Sequence, residues 1–311
     1  MNYIFLFIFS LLATYLSIFF GRKIRIIDNP SFEKIHRVPV PRTGGLGIFL
    51  TFILGLVLFP NVLNFFEIIF LSLIFLIGFI DDIISIPQKI KFIIEIILAV
   101  IIGVINSWRF TGINILDIFF STFYIVGSIN ALNEIDGMDG LAGGIVLIVS
   151  IFLSYWMKDI MLVVALAVLG FLFFNFHPAK IFMGDGGSLF LGAFIGLIGL
   201  KILSSHTNLS TLVALIFIYS IPIYDSALTI LRRFLAGKSL FVPDLGHFYN
   251  KLYHIVNNYI GTVLIIYLIA IINGIMGIIF YLLTPIFSFV FGIAIWIILL
   301  YIGYKLGFLK S

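Results

Sequence analysis

Carboxylates are the residues of this chain that could do chemistry, and their spacing points to a bound cation. Asp81 and Asp82 are adjacent at the end of an almost uncharged apolar run, within Gly78–Pro87, GFIDDIISIP. Ionised carboxylates at membrane depth are costly and mark functional pathways. Neighbouring carboxylates repel unless a cation lies between them. Adjacent helical residues point about 100° apart, so one could face a metal and the other a substrate. Asp136 and Asp139 recur in Asn130–Gly144, NALNEIDGMDGLAGG. Gly137 and Gly140 would let backbone N–H groups approach a ligand there, and the acids could accept hydrogen bonds from a base or ribose. The segment lacks the full spacing and terminal Glu of a calcium loop. Asp185 falls in a Gly-rich turn, Asn175–Ser188, NFHPAKIFMGDGGS. Such a turn could hold a cation through Asp185 and a diphosphate through its N–H groups.

Basic and polar residues accompany the acids. In His36–Gly47, HRVPVPRTGGLG, Pro39 and Pro41 forbid a regular helix. Arg37 and Arg42 could pair with phosphate oxygens there, or serve only as anchors at the membrane face. Asp244, His247, Asn250 and Lys251 cluster among aromatics in Tyr224–Tyr259, where His247 could ligate phosphate or assist proton transfer. Two further groups read as structural. Glu95, one turn beyond Lys91, is expected to form an i,i+4 ion pair with it. His177, ahead of Pro178, is expected to cap the helix before it.

The elements that must position these residues are membrane helices. The chain has 311 residues, 62% hydrophobic and only 10% charged, against about 25% charged in soluble domains. No water-soluble fold hides so much apolar surface. The absence of cysteine excludes disulfides, thiolate metal sites and Cys nucleophiles. Eleven apolar segments are long enough to be read as spans, about 20 residues being needed for each: 3–21, 44–60, 66–83, 89–106, 115–133, 141–157, 159–175, 187–203, 210–231, 261–283 and 285–307. The fold class is therefore all-α, a polytopic membrane helix bundle in a single domain. Its expected cytoplasmic loops are 22–43, 82–90, 132–143, 175–187 and 225–260. With the first of these inside, only Arg109, Lys158 and Lys201 of 18 Lys and Arg fall outside. This follows the positive-inside rule, with the N-terminus outside and the C-terminus cytoplasmic. Of 14 acids, only Glu67, Asp117 and Asp159 fall outside. Acids need not follow that rule, so a polar site at the inner face is the explanation their clustering calls for. A transporter or lipid flippase, the alternative from another class, would place acids near the midplane within two repeated halves. The acids lie at helix ends, and no internal repeat is evident.

Five ordered segments resemble the polyprenyl-phosphate N-acetylhexosamine-1-phosphate transferases (glycosyltransferase family 4): PRTGGLG at 41–47, GFIDD at 78–82, NALNEIDGMDGLAGG at 130–144, NFHPAKIFMGDGGSLFLG at 175–192 and PDLGHFYNKL at 243–252. The resemblance implies that Asp185 coordinates Mg2+, with Mn2+ as a substitute, and that Asp81 and Asp82 line the cofactor and lipid-phosphate site, Asp82 sharing the metal. It assigns Asp136, Gly137 and Asp139 to the nucleotide loop with Asn133 beside them, and Phe182 to stacking on uracil. Asn175 and His247 fall to the sugar-diphosphate end, and Arg42 to a basic position of the nucleotide loop. Asn250 stands in the Gln place of a His-x-Tyr-Gln type motif. The single His of HFYNK, where the phospho-MurNAc-pentapeptide translocase carries three, points to the branch that uses simple UDP-N-acetylhexosamines. The implied partners are such a UDP-sugar, polyprenyl phosphate and the bilayer, with no nucleic acid. The resemblance also suggests a homodimer and the bacterial cytoplasmic membrane.

Overall fold

The structure is a computed structural model that describes residues 2–30, 38–60, 62–238 and 246–309. Arg37 and Asp244, singled out above, lie outside the described residues. The chain forms two compact units, Met1–Ile198 and Gly199–Ser311.

The first unit contains α1 (Asn2–Ile24), a two-residue ladder of β1 (Ile27–Asp28) with β2 (Val40–Pro41), then α2 (Gly44–Leu58), α3 (Phe65–Ile84), α4 (Gln88–Asn106), α5 (Asn114–Ile135), α6 (Leu141–Leu153), α7 (Lys158–Asn175) and most of α8 (Gly184–Ser205). The ladder is antiparallel, with Ile27 opposite Pro41 and Asp28 opposite Val40. Helix starts carry their own signals. At α3 the Asn64 side chain accepts the Glu67 N–H while Glu67 accepts the Asn64 N–H, a reciprocal capping box. The unit packs around α8. Phe190 and Phe194 are fully buried, with edge contacts to Phe52 at centroid distances of 5.0 and 5.7 Å. Phe190 also meets Phe49, which stacks on Phe75 at 4.1 Å.

The second unit contains α9 (Leu209–Ile218), α10 (Ser220–Leu235), α11 (Phe248–Val256), α12 (Tyr259–Leu282) and α13 (Pro285–Lys305). The single span expected over 210–231 is instead two helices bent by 82°. Pro222 supplies the reason. A continuous helix would lose the Pro222 N–H and drive its ring into the carbonyl of residue i−4, which is Ile218. The stretch expected as a loop from 225 is helical to Leu235 and again over Phe248–Val256.

Among the described residues, six helices are long and apolar enough to cross a membrane, or seven if the bent pair counts as one span. On α1, α5, α12 and α13 apolar side chains face outward: Phe19, Phe123, Leu268 and Ile286 are all exposed. With backbone groups satisfied within helices, apolar side chains turn outward and water is not the solvent for these faces. Among the other expected spans, α2 and α6 are apolar but short, at 15 and 13 residues. The protein is a multi-pass, all-α membrane protein.

Candidate active site

Three helix ends bring the acids together in the first unit. Gly78 of α3 lies so close to the start of α8 that a Cβ there would strike the Asp185 carbonyl. Gly184 has φ +72°, and a Cβ on it would run into the Arg42 carbonyl and the Asp82 carboxylate. Only glycine meets both demands. The segment carrying Arg42 is pinned by backbone bonds, Phe182 N–H to Pro41 O at 2.8 Å, Gly44 N–H to Phe182 O at 2.9 Å and Gly45 N–H to Met183 O at 2.8 Å. The Thr43 hydroxyl adds a bond to Ser17 O at 2.7 Å.

Asp82 accepts the backbone N–H groups of Asp185 and Gly186, each at 3.0 Å. It therefore caps the N-terminus of α8 from another helix, where orphan N–H groups and the helix dipole favour a negative charge. Its Oδ1 also lies 3.4 Å from Arg42 Nη2. Asp81 is turned elsewhere. It accepts the Ile86 N–H and pairs with Lys91 Nζ at 2.9 Å. The same Lys91 ammonium pairs with Asp185, whose other oxygen meets Arg42 Nη2 at 3.3 Å. Asp81 thus shares the Lys91 ammonium with Asp185, and Asp82 shares the Arg42 guanidinium with it.

Lys91 was expected to pair with Glu95 and does not. Asp185, 94 positions away, and Asp81 together outcompete the local partner, because two carboxylates converge on the ammonium there. Glu95 is 1% exposed and, among the described residues, accepts only the Asn130 amide, at 2.7 Å. Lys91 is the participant that sequence reasoning missed. Its signal was a lysine in the first turn of an apolar helix, ten residues beyond Asp81; the structure buries it to 3% exposure.

The DG loop joins this cluster through side chains. Asn175 commits both ends of its buried amide to backbone: Gly140 N–H donates to Oδ1 at 3.0 Å, and Nδ2 donates to Ile181 O at 2.8 Å. Asp139 Oδ2 lies 2.7 Å from His177 Nδ1 and accepts the Ala179 N–H at 3.1 Å. His177 is therefore a tie between loops rather than a helix cap. Asn133 Oδ1 accepts the Ser188 hydroxyl at 2.7 Å. Gly137 is exposed, and Phe182 and Asp136 are half-buried. Burial, followed by the negative charge of Asp185, pushes the Asp136 carboxyl well above the usual carboxylate range; Asp82 and Asp139 add to this and Arg42 opposes it. For Arg42, burial works against its charge, but Asp82, Asp185, Asp28 and Asp136 outweigh it and hold the guanidinium pKa up.

The second unit holds the other two expected residues. His247 Nδ1 lies 2.7 Å from Asp225 Oδ2, and Asp225 Oδ1 accepts the Phe248 N–H at 2.7 Å. Asp225, fully buried, thus starts α11 and orients His247, which stacks on Tyr249 with rings 7° from parallel. Asn250 is half-buried in the first turn of α11.

Fold and site together define a polytopic membrane protein with carboxylates and cations gathered at helix ends. Residues 66–203 match Glycosyl transferase family 4. The chain is 35% identical over 279 residues to a Bacillus subtilis protein named "Probable undecaprenyl-phosphate N-acetylglucosaminyl 1-phosphate transferase", covering 83% of this chain and 78% of the relative. It is 31% identical over 271 residues to the undecaprenyl-phosphate alpha-N-acetylglucosaminyl 1-phosphate transferase of Thermotoga maritima, covering 86% and 85%. It is also 31% identical over 300 residues to the phospho-N-acetylmuramoyl-pentapeptide-transferase of Staphylococcus carnosus, covering 83% and 89%. The chain belongs to glycosyl transferase family 4, the polyprenyl-phosphate N-acetylhexosamine-1-phosphate transferases.

Proposed function

We propose that the protein transfers an N-acetylhexosamine 1-phosphate from a UDP-sugar to polyprenyl phosphate, releasing UMP and leaving a lipid-linked sugar diphosphate that starts cell-envelope glycan assembly. The observation that carries this reading is the meeting of Asp81 and Asp185 on one cationic centre, with Arg42 beside it. The attack is by a lipid-phosphate oxygen on the β-phosphorus of the donor, so two anions must approach and charge neutralisation is the main task.

Mg2+, with Mn2+ as substitute, is the cofactor this chemistry calls for. Asp81 and Asp185 fit it: they are hard oxygen donors that already converge on one positive charge. When bound, the ion would neutralise diphosphate charge that develops on UMP. The chain's own residues do the rest. Asp82 holds the α8 N-terminus, and with it Asp185, in place. Arg42, a third exposed, offers a planar fork of donors to phosphate. Asp81 orients the lipid phosphate rather than deprotonating it, since a phosphate monoester with second pKa about 6 is largely ionised at neutral pH. Asp136, Gly137, Asp139 and Asn133 serve the nucleotide, and Phe182 stacks on uracil. Asn175 sets the loop on which they sit. His247 and Asn250 choose among amino sugars. The reading includes eleven crossings of the bacterial cytoplasmic membrane, the N-terminus outside, the site on the cytoplasmic face and a homodimer.

The test is UMP release by the purified full chain from UDP-GlcNAc with undecaprenyl phosphate and Mg2+, alongside a donor panel that includes UDP-MurNAc-pentapeptide. Asp185→Asn should abolish turnover while the variant still purifies as a folded protein. Retained turnover would remove Asp185 from the metal role, and preference for the pentapeptide donor would replace the proposed substrate.

A further inference from the structure

Glu95 has no part in the reaction as described, yet it is the most conspicuous buried acid of the first unit. Its Oε2 accepts the Asn130 amide at 2.7 Å. Its Oε1 is buried and meets no donor among the described residues. Leaving a buried carboxylate oxygen without a donor is costly. One turn away on the same helix, Lys91 turns toward Asp81 and Asp185. Residues i and i+4 on a helix are neighbours, and a lysine stem has enough rotatable bonds to present its ammonium to either partner.

We infer that Lys91 is an exchangeable cation and Glu95 its second seat: a divalent ion that takes Asp81 and Asp185 displaces the Lys91 ammonium onto Glu95 Oε1. The inference rests on the reading of Asp81 and Asp185 as metal ligands. The charges favour it. The ammonium and the incoming ion compete for the same oxygens and repel each other. Moving Lys91 by one turn leaves two compensated groups, a divalent ion with two carboxylates and an ammonium with one. Without Glu95, the displaced ammonium would be left uncompensated in a buried site, which is strongly unfavourable. Glu95 is then a positioning residue that raises metal affinity through Lys91.

Mn2+ titration of the full chain in detergent, followed by the electron paramagnetic resonance signal of free Mn2+, reads this without turnover. Asp185→Asn should abolish specific binding, and unchanged binding in that variant would overturn the metal reading itself. With that control passed, Glu95→Gln should weaken Mn2+ binding by about tenfold, the scale at which groups behind the ligands act. Lys91→Met should tighten it. In a Lys91→Met background, Glu95→Gln should add nothing. An unchanged affinity for Glu95→Gln would overturn the exchange. So would an equal loss in both backgrounds, which would make Glu95 a through-space charge acting independently of Lys91.

Discussion

Replacing Asp82 by Asn tests whether this acid works as a cap. The wild-type carboxylate accepts two N–H groups at the α8 N-terminus, both at 3.0 Å, from a side chain 1% exposed. An Asn amide has one acceptor oxygen, so one of the two N–H groups would face an NH2 donor. A buried donor left unsatisfied costs about 1–3 kcal/mol. Loss of the negative charge at a helix N-terminus adds about 0.3–1 kcal/mol, more where partly buried. Together these give about 3 kcal/mol of local destabilisation, equivalent to about a hundredfold rise in opening of the first turn of α8. Hydrogen–deuterium exchange with mass spectrometry would read it in peptides covering residues 184–188. Asp81→Asn is the control, because Asp81 accepts the Ile86 N–H and pairs with Lys91 while the backbone N–H groups of that turn go to Asp82. Unchanged exchange in Asp82→Asn, or the same acceleration in Asp81→Asn, would refute the assignment.

Two other perturbations follow from the same site. Asn175→Leu should lower stability in detergent by about 2–4 kcal/mol, since the Gly140 N–H and the Ile181 carbonyl both lose buried partners; a thermal melt within error of wild type would show that these bonds are replaced. Asp136 disfavours its charged form in the folded protein because burial raises its pKa, so its contribution to stability is lost as pH rises through that raised value. Melting temperature should therefore fall as pH rises above about 4, the ordinary Asp value, and Asp136→Asn should remove that slope; a slope that survives the substitution would assign it to another group.

How much of this was legible in the sequence depends on the range of each interaction. Helix placement was, because each span carries its own apolar run, and α3 even announces its start with Asn64 and Glu67. The break at Tyr219 was signalled by Pro222, but a hydropathy window sums over it, and only the clash with residue i−4 reveals it. At the candidate site, the acids could be singled out because glycines and carboxylates at helix ends stand out locally. What each acid does was not legible. Asp82 caps a helix that begins about a hundred residues later, and no periodicity encodes that. Lys91 was given to Glu95 because Glu95 is the only acid within reach along the helix. The true competitors, Asp81 and Asp185, become its neighbours only when α3 and α8 meet. His177 failed for the same reason, its partner Asp139 being brought to it by tertiary packing.

Helix α8 has one more consequence. Its mean hydropathy is 1.8, enough to enter a bilayer unaided, yet from Ser188 to Ile198 its side chains are sealed inside protein. Gly192 and Gly196 lie against Ser128 and the Ile125 and Ile129 backbone of α5, the kind of small-residue surface that lets helices settle together once inserted. During biogenesis α8 must therefore trade a lipid sheath for a protein one. Asp185 sits in the first turn of that helix, so a chain that inserted every span but left α8 unseated would have no assembled carboxylate cluster.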